Sequence, residues 1–376
     1  MAVLRYLFAL AIAVTGPIAT NAISSPVFQS HGKATKEELA ARALAKAKYP
    51  RSNTRVTADA GYWYASFDIG DSKGLSLILD TGSDYVSVNP RLYKPGSASV
   101  DVGEEGVYTY SSMEENGCGS AAVSYHAYRD TMTYEGLTVK GQSLGASKEM
   151  PESPGNYTKF DHDGLIGLTL SPASSLANTK STYLNSLCHQ KLIEPCRLGL
   201  AFGFDKTGTM ALGAAEDSLF EGPLSTMPAG PNWATTGKLV IHGTEVIAHG
   251  KEIYYDSGTR NVVVQTAVAR ALFKALKIQS VEQHEAGCSS IVYGYYPCDK
   301  PPQVGFQVGD KTFNIDASQF ALEDNGNNNC TAVVTGIDFD FAPDWWLVGQ
   351  AWFQGKYADF HRSGGDEYTF GVAHLK

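Results

Sequence analysis

A short motif occurs twice in this 376-residue chain and constrains its fold more than any other feature. Residues 77–83 read LILDTGS and residues 253–259 read IYYDSGT, so each has an apolar residue, two further residues and then Asp-(Ser/Thr)-Gly-(Ser/Thr). An apolar-apolar-Gly element follows each motif. The first of these elements ends at Gly167, 87 residues after Asp80, and the second ends at Gly349, 93 residues after Asp256. Two copies at matching offsets predict two lobes of similar build, each contributing one aspartate.

The chemistry of such a pair follows from bringing the two turns face to face. Asp80 and Asp256 then share one site, because Gly82 and Gly258 lack a Cβ atom and let the opposite chain approach closely. Two neighbouring carboxylates cannot both ionise easily, so one of them keeps a proton. The ionised group can take a proton from water while the protonated group donates one to a carbonyl oxygen. The motifs therefore predict general acid–base hydrolysis.

Hydroxyl side chains complete the predicted site. Thr81, Ser83, Ser257 and Thr259 can orient the carboxylates and join the two turns by hydrogen bonds. The chemistry needs no metal ion, and no cysteine or histidine cluster has the spacing of zinc ligands. We therefore expect neither a metal nor another cofactor.

The remainder of the chain has the pattern of a mainly β protein. From Gly61 onward, short apolar or alternating runs recur between Gly, Pro, Asn and Asp residues, and the chain contains 38 glycines. A helical pattern is clearest over residues 267–276. A predominantly antiparallel β architecture is the predicted fold class.

The N-terminus has the pattern of a secretory signal peptide over residues 1–22. Arg5 precedes an apolar run over residues 6–14, and Thr20 and Ala22 supply small residues before the expected cut. No apolar stretch reaches the roughly 18 residues of a membrane span. We expect a protein without a membrane anchor that leaves the cell, with delivery to an acidic vacuole as the open alternative.

Residues 23–57 form a basic leader with seven basic and two acidic residues, whereas residues 58–376 carry 22 basic and 37 acidic residues, a net charge of −15. This asymmetry predicts a propeptide that docks on an acidic body by charge and loosens on acidification, with a flexible basic arm as the alternative. An acidic body also argues against nucleic-acid binding.

Six cysteines fit an oxidising compartment. Cys188 and Cys196 are close enough in sequence to close a small loop, and Cys298 and Cys330 bracket a strand-rich segment. The sequence does not pair Cys118 and Cys288. Asn-X-Thr acceptors for glycosylation occur at Asn156 and Asn329.

On these motifs the chain resembles the pepsin-like aspartic proteases, and especially their fungal secreted branch, over nearly all of residues 61–376. The resemblance implies a bilobal fold with an extended cleft between two pseudo-symmetric lobes, here residues 58–205 and 206–376. It implies a monomeric acid endopeptidase made as a zymogen, with Asp80 and Asp256 as the catalytic pair and extended peptides or proteins as substrates. It also implies that Lys48 of the propeptide pairs with these carboxylates, and that Cys298 and Cys330 form the disulfide of the second lobe.

The sequence departs from the family pattern where the family has its flap, the hairpin that closes over substrate. Asn116 stands where a tyrosine is expected, with Tyr125 as a second candidate in another register, and the tryptophan usual after the first motif is absent. Arg260 replaces a small hydroxyl residue and Gln350 replaces an aspartate. These departures keep a second hypothesis open, a catalytically weak or silent peptide-binding protein. A third, a glycosidase that uses two carboxylates, is disfavoured by the repeated turns.

Overall fold

The fold is seen in a computed structural model, which describes residues 23–29, 62–114, 117–149, 162–170, 182–283, 290–339 and 342–376. Several predicted features lie outside these residues: the signal peptide, Lys48, Asn116, Cys288 and Asn156. The side chain of Cys118 is also outside the described part. These features therefore remain predictions.

The described chain is built mainly of strands, as the sequence predicts. In chain order they are β1 (Ile23–Gln29), β2 (Trp63–Ile69), β3 (Ser72–Asp80), β4 (Val86–Val88), β5 (Val100–Glu114), β6 (Gly117–Tyr134), β7 (Leu137–Ser147), β8 (Gly164–Gly167), β9 (Cys196–Phe202), β10 (Thr207–Leu212), β11 (Ser225–Ala229), β12 (Ala234–Ile241), β13 (Glu245–Tyr255), β14 (Val262–Val264), β15 (Gln279–Gln283), β16 (Ile291–Tyr296), β17 (Val304–Val308), β18 (Lys311–Asn314), β19 (Ala321–Asp324), β20 (Cys330–Ala332), β21 (Val334–Ile337), β22 (Trp345–Val348), β23 (Lys356–Gly364) and β24 (Glu367–His374). The helices are α1 (Tyr183–His189), α2 (Thr266–Leu276) and α3 (Gln350–Phe353), with a 3-10 turn at Ala317–Gln319. Within the described residues, no helix is long and apolar enough to span a bilayer.

Two large sheets account for these strands. The first has the order β11-β24-β23-β9-β10-β1-β2-β3-β8-β4-β7-β6-β5, and the second runs β18-β17-β12-β13-β22-β14-β21-β16-β20-β19, with β15 paired to β16. The C-terminal strands β23 and β24 thus join the first sheet beside β9. The chain crosses between the sheets in both directions, and the lobe limits given above remain predictions.

The two sheets repeat one local arrangement, which confirms the internal repeat seen in the sequence. In the first sheet β8 lies parallel to β3 and antiparallel to β4, and β4 lies parallel to β7. In the second sheet β22 lies parallel to β13 and antiparallel to β14, and β14 lies parallel to β21. The two Asp-(Ser/Thr)-Gly motifs follow the equivalent strands β3 and β13. This equivalence is the structural basis of a bilobal fold.

Side-chain periodicity explains why these segments form strands and helices. In β2, Phe67 and Ile69 are buried while Ser66 is exposed and Asp68 is half-buried, the two-residue period of a sheet with one face in the core. Helix α2 confirms the helix predicted over residues 267–276. Its buried face repeats at helical spacing and is formed by Ala269, Leu272 and Phe273.

Two of the expected disulfides are present. Cys188 pairs with Cys196 and closes the loop between α1 and β9, and Cys298 pairs with Cys330 in the second sheet. The first pairing confirms the small loop that the short spacing of these two cysteines predicts. The second confirms the pairing that the family resemblance implies.

A buried ion pair joins β9 to β23. Arg197 donates from Nε to Asp359 Oδ1 at 2.6 Å and from Nη2 to Oδ2 at 3.1 Å, and the Asp359 side chain is only 2% exposed. Burial raises the pKa of Asp359, although the hydrogen bonds and charge of Arg197 act in the opposite direction. Arg197 therefore favours the ionised form of Asp359, which burial disfavours.

We expect Arg197→Met to lower the free energy of unfolding by about 3–5 kcal/mol at neutral pH, because it leaves a buried carboxylate without its partner. The loss should shrink at acid pH, where Asp359 becomes protonated. Lys251→Met is the matched control, since it breaks an exposed pair with Asp344 that contributes below about 1 kcal/mol. Equal losses for both variants in urea titrations would contradict the assignment.

Candidate active site

The two motif aspartates lie at equivalent strand ends. Asp80 is the last residue of β3, and its carbonyl oxygen accepts a hydrogen bond from the Leu168 N–H at 2.8 Å. Asp256 follows β13 directly, and its N–H donates to the Val348 carbonyl at 3.0 Å. In both lobes the apolar-apolar-Gly strand therefore holds the backbone of the aspartate, which explains the matching offsets in the sequence.

A reciprocal set of hydrogen bonds joins the two motifs. The Thr81 N–H donates to Ser257 Oγ at 3.1 Å, and the Ser257 N–H donates to Thr81 Oγ1 at 3.0 Å. Each hydroxyl then donates onward to the opposite lobe, from Thr81 to the Tyr255 carbonyl and from Ser257 to the Leu79 carbonyl, both at 2.7 Å. Since all four bonds are buried, they fix the two turns relative to each other. The structure thus brings Thr81 and Ser257 together as predicted from their hydroxyl groups.

Each carboxylate is also bound within its own turn. The Gly82 N–H donates to Asp80 Oδ1 at 2.8 Å, and the Ser83 hydroxyl donates to Oδ2 at 2.6 Å. The second turn repeats this: the Gly258 N–H donates to Asp256 Oδ1 at 2.8 Å and the Thr259 hydroxyl donates to Oδ2 at 2.5 Å. Charge-assisted bonds of this kind fix the orientation of both carboxylates.

The motif glycines allow the carboxylates to approach the opposite turn. A Cβ atom built on Gly82 would lie 2.5 Å from Asp256 Cγ, and one built on Gly258 would lie 2.3 Å from Asp80 Cγ. Both distances are far below a normal carbon–carbon contact. Each carboxylate thus sits directly against the glycine of the other lobe, so a residue larger than glycine would force the pair apart.

Burial and proximity change the acidity of this pair. Asp80 is 6% exposed and Asp256 is 8% exposed. Burial first, and the charge of Asp256 second, raise the pKa of Asp80 well above its usual value, although hydrogen bonds from Ser83 and Gly82 oppose this. Asp80 therefore keeps a proton to higher pH than an ordinary carboxyl group. One protonated and one ionised carboxyl in contact can act as an acid and a base together.

Strands β5 and β6 form a hairpin in the region where the sequence predicts the flap. Asn116 falls between these strands in sequence and lies outside the described residues. Tyr125 is 2% exposed, and its ring stacks on Tyr108 at 4.2 Å, which in turn stacks on Tyr85 at 3.9 Å. Tyr125 therefore packs in an aromatic stack that the two strands of the hairpin form with Tyr85, and the role of Asn116 or Tyr125 over substrate remains a prediction.

Sequence reasoning missed one supporting residue. Gln350 was recognised only as a departure from the family pattern, yet it is 1% exposed and braces the second motif. Its N–H donates to the Thr259 carbonyl at 2.8 Å and its Nε2 donates to the Ser257 carbonyl at 2.6 Å. Its position directly after Gly349 was the available signal, because that glycine is part of the repeat.

The described residues bring three potential metal ligands together only at Cys298, Asp324 and Cys330. The two cysteines are joined in a disulfide, so their sulfur atoms do not offer thiolate ligands. This cluster therefore does not form a metal site.

Comparisons with known proteins agree with this geometry. The family model described as eukaryotic aspartyl protease matches residues 62–374. The chain is 23% identical to secreted aspartyl protease 1 of Malassezia globosa over 299 residues, which cover 78% of this chain and 69% of that protein. It is 28% identical to rhizopuspepsin-5 of Rhizopus niveus (76% and 67% coverage) and 25% identical to pepsin A of Gallus gallus (81% and 82%). Because the family model spans both motifs and nearly the whole described body, the chain belongs to the eukaryotic aspartyl protease family.

Proposed function

We propose that this protein is a secreted aspartic endopeptidase, made as a zymogen, which hydrolyses peptide bonds at acid pH with a water activated by Asp80 and Asp256. The observation that carries the proposal is the reciprocal arrangement of two buried carboxylates, each held by its own turn and placed against the glycine of the other. Membership of a family of proteases agrees with this chemistry.

The chemical steps follow from one shared proton. The ionised carboxylate takes a proton from a water lying between the pair, and the oxygen of that water attacks the carbonyl carbon of the peptide bond. The protonated carboxyl gives its proton to the carbonyl oxygen, so the tetrahedral intermediate is neutral. When this intermediate collapses, the C–N bond breaks, the leaving nitrogen takes the proton of the protonated carboxyl, and the ionised carboxylate takes a proton from one of the two hydroxyl groups. The products are an amine and a carboxylic acid, and the pair again holds one proton. The raised pKa of Asp80, caused by burial and by the charge of Asp256, supports a pair that holds one proton at acid pH.

An extended peptide suits a site at the junction of two sheets. A peptide laid across the two motifs would present its scissile carbonyl to both carboxylates, because one comes from each equivalent strand end. The protein names of the relatives, among them pepsin A and a secreted aspartyl protease, agree with protein substrates. The proposal therefore takes extended segments of proteins as the substrate class and a monomer as the active form.

The basic leader supports the zymogen proposal. Strand β1 belongs to the leader and lies in the first sheet, antiparallel to β10 and to β2. Part of residues 23–57 is therefore integrated in the fold that carries Asp80. In the proposal, Lys48 pairs with the two carboxylates until acid protonates acidic groups of the body and releases the leader. Secretion agrees with the exposed position of Asn329, a glycosylation acceptor.

A second candidate is a catalytically silent peptide-binding protein on the same fold. It is favoured by the altered segment after the first motif, residues 84–88, which lacks the usual tryptophan. Within this segment the Ser87 hydroxyl pairs with that of Ser147 at 2.9 Å. The asparagine at position 116, where the family pattern has a tyrosine, favours the same candidate. The complete pair of carboxylates favours the enzyme over this candidate.

Digestion of an unfolded protein substrate at about pH 3–5 tests the proposal. The chain without its signal peptide should lose its leader on acidification and then release peptides, and pepstatin, an inhibitor that resembles the transition state, should block that release. The leader should stay attached at neutral pH. If the folded body loses its leader, binds pepstatin and releases no peptides, the silent binding protein is the correct reading.

A further inference from the structure

The two motifs differ most in the residue that follows them. Aligned residue for residue, the first continues to Asp84 and the second to Arg260, so equivalent positions in the two lobes carry opposite charges. The charge of Asp84 contributes to raising the pKa of Tyr108, after burial and neighbouring tyrosines, and this places Asp84 near the aromatic stack of Tyr85, Tyr108 and Tyr125. Asp84 is half-buried there, whereas Arg260 is exposed.

The backbone around Arg260 is fixed although its side chain is exposed. The Thr259 N–H donates to the Asp256 carbonyl at 3.3 Å, which closes a turn around the motif. The Ala351 N–H of α3 donates to the Arg260 carbonyl at 3.2 Å. A residue four positions after Asp256 in a closed turn stays near the carboxylate pair. The backbone that carries the Arg260 guanidinium group is therefore held in place by hydrogen bonds next to the second motif.

No carboxylate of the described residues forms an ion pair with Arg260. Among the other exposed arginines, Arg91 pairs with Glu149 and Arg270 with Glu282, whereas Arg129 has no ion pair among the described residues. Residues 58–376 carry a net charge of −15, and Arg260 places a positive charge directly after the second motif of this negative body. Arginine stays protonated at every pH of interest and presents paired N–H groups that match a carboxylate.

We propose that Arg260 is a specificity residue that binds a carboxylate side chain of the substrate, so that the enzyme prefers peptides with Asp or Glu within about three residues of the scissile bond. This inference rests on the proposed endopeptidase activity and names its substrate class more closely. The exposed guanidinium offsets the repulsion that a body of net negative charge exerts on an acidic peptide.

The preference has a characteristic pH dependence. Asp and Glu side chains of a peptide ionise near pH 3.9 and 4.3, while Arg260 keeps its charge. Acidic substrates should therefore gain over neutral ones as pH rises from about 3 to 5, and the gain should fall with added salt. A preference based on side-chain shape would not change with either variable.

The experiment uses matched peptides with blocked ends, so that only side chains supply a carboxylate. A digest of a random peptide mixture by the acid-activated enzyme first identifies a scissile pair. Peptides with this pair and Glu, Gln or Lys at each of the three positions on either side are then compared by kcat/KM. At pH 5 we expect Glu to exceed Gln by about tenfold at one position on one side.

Variants at residue 260 then separate charge from shape. Arg260→Ser should bring the Glu-to-Gln ratio close to one, Arg260→Lys should keep part of it, and Arg260→Glu should invert it in favour of Lys. Arg91→Ser is the matched control, because it removes another exposed arginine and should leave the ratio unchanged.

The outcomes separate the specificity role of Arg260 from the endopeptidase activity itself. If the enzyme cleaves the Gln and Glu peptides equally at pH 5, or if Arg260→Ser keeps the wild-type ratio, the specificity role is overturned and the endopeptidase activity stands. If the enzyme cleaves no peptide in the mixture, the proposed function fails and the specificity role fails with it.

Discussion

Replacing Asp80 or Asp256 by Asn is expected to lower kcat/KM for peptide hydrolysis by at least two to four orders of magnitude, the usual contribution of general acid–base catalysis. Either change leaves one titratable carboxyl where the reaction needs a proton donor and a proton acceptor. The two variants should lose similar amounts, and the double variant should lose little more, because the pair acts as one unit. Initial rates on one peptide at acid pH give this comparison.

Folding controls make this result interpretable. Burial and the charge of Asp256 raise the pKa of Asp80, so the ionised carboxylate is unfavourable in the folded protein. Asp80→Asn removes that charge and should therefore leave the thermal midpoint at neutral pH unchanged or higher. Asp366→Asn, on an exposed turn, should keep full activity. Wild-type activity in the Asp80 variant would contradict the proposed mechanism.

The pH profile of wild-type activity tests the same requirement for one protonated and one ionised carboxyl group. Because the folded-state pKa of Asp80 lies above its usual value, its proton is retained through the acid range and lost as pH rises through the raised value. Activity should therefore fall on the alkaline side with the loss of this proton. The fall on the acid side would report protonation of the second carboxyl, and both apparent values belong to the pair.

The sequence predicted the parts of this molecule that repeat. Both motifs could be recognised because each is a short local pattern, in which an aspartate, a hydroxyl residue and a glycine follow one another in a fixed order. The structure places them at equivalent strand ends. The downstream glycines at 167 and 349 were found for the same reason. Helix α2 was found because its apolar residues have helical spacing.

The contacts that the sequence did not reveal are those made across long separations. Nothing local in Gln350 indicates that its amide reaches the carbonyl of Ser257, 93 residues earlier. The stack of Tyr85, Tyr108 and Tyr125 likewise depends on the register of β5 against β6, which only the fold defines. Pairing of the C-terminal strands with β9 also lies beyond any short pattern.

A buried lysine far from the two motifs in sequence gives the second large expected effect. Lys356 begins β23 and is 2% exposed. Its Nζ donates to the Gln354 carbonyl at 3.2 Å and lies 5.2 Å from the centre of the Trp352 ring. Burial lowers its pKa from 10.5 to about 7, while the charge of Asp316 acts in the opposite direction. His374 lies opposite in the sheet, and its pKa is lowered by burial and then by the charge of Lys356.

The sign of the resulting pH dependence is the reverse of that for Asp80. The unfolded chain holds the Lys356 proton up to about pH 10.5, but the folded chain releases it near pH 7. Folding must therefore bury a charge below pH 7, and this cost disappears as pH rises from 7 to 10.5. The difference between these two values corresponds to roughly 5 kcal/mol, an upper limit for the cost.

Lys356→Met is therefore expected to raise the free energy of unfolding by a few kcal/mol at pH 5, because Met fills the same space without a charge. The gain should shrink between pH 7 and 10, as measured by urea titration across that range. Lys311→Met, an exposed lysine on the neighbouring β18, is the control and should change little. A gain of equal size at pH 5 and pH 10 would mean that packing, and not the buried charge, explains it. If the gain vanishes at high pH, the folded body carries two buried groups with opposite pH responses, since ionised Asp80 destabilises it at high pH and protonated Lys356 at low pH.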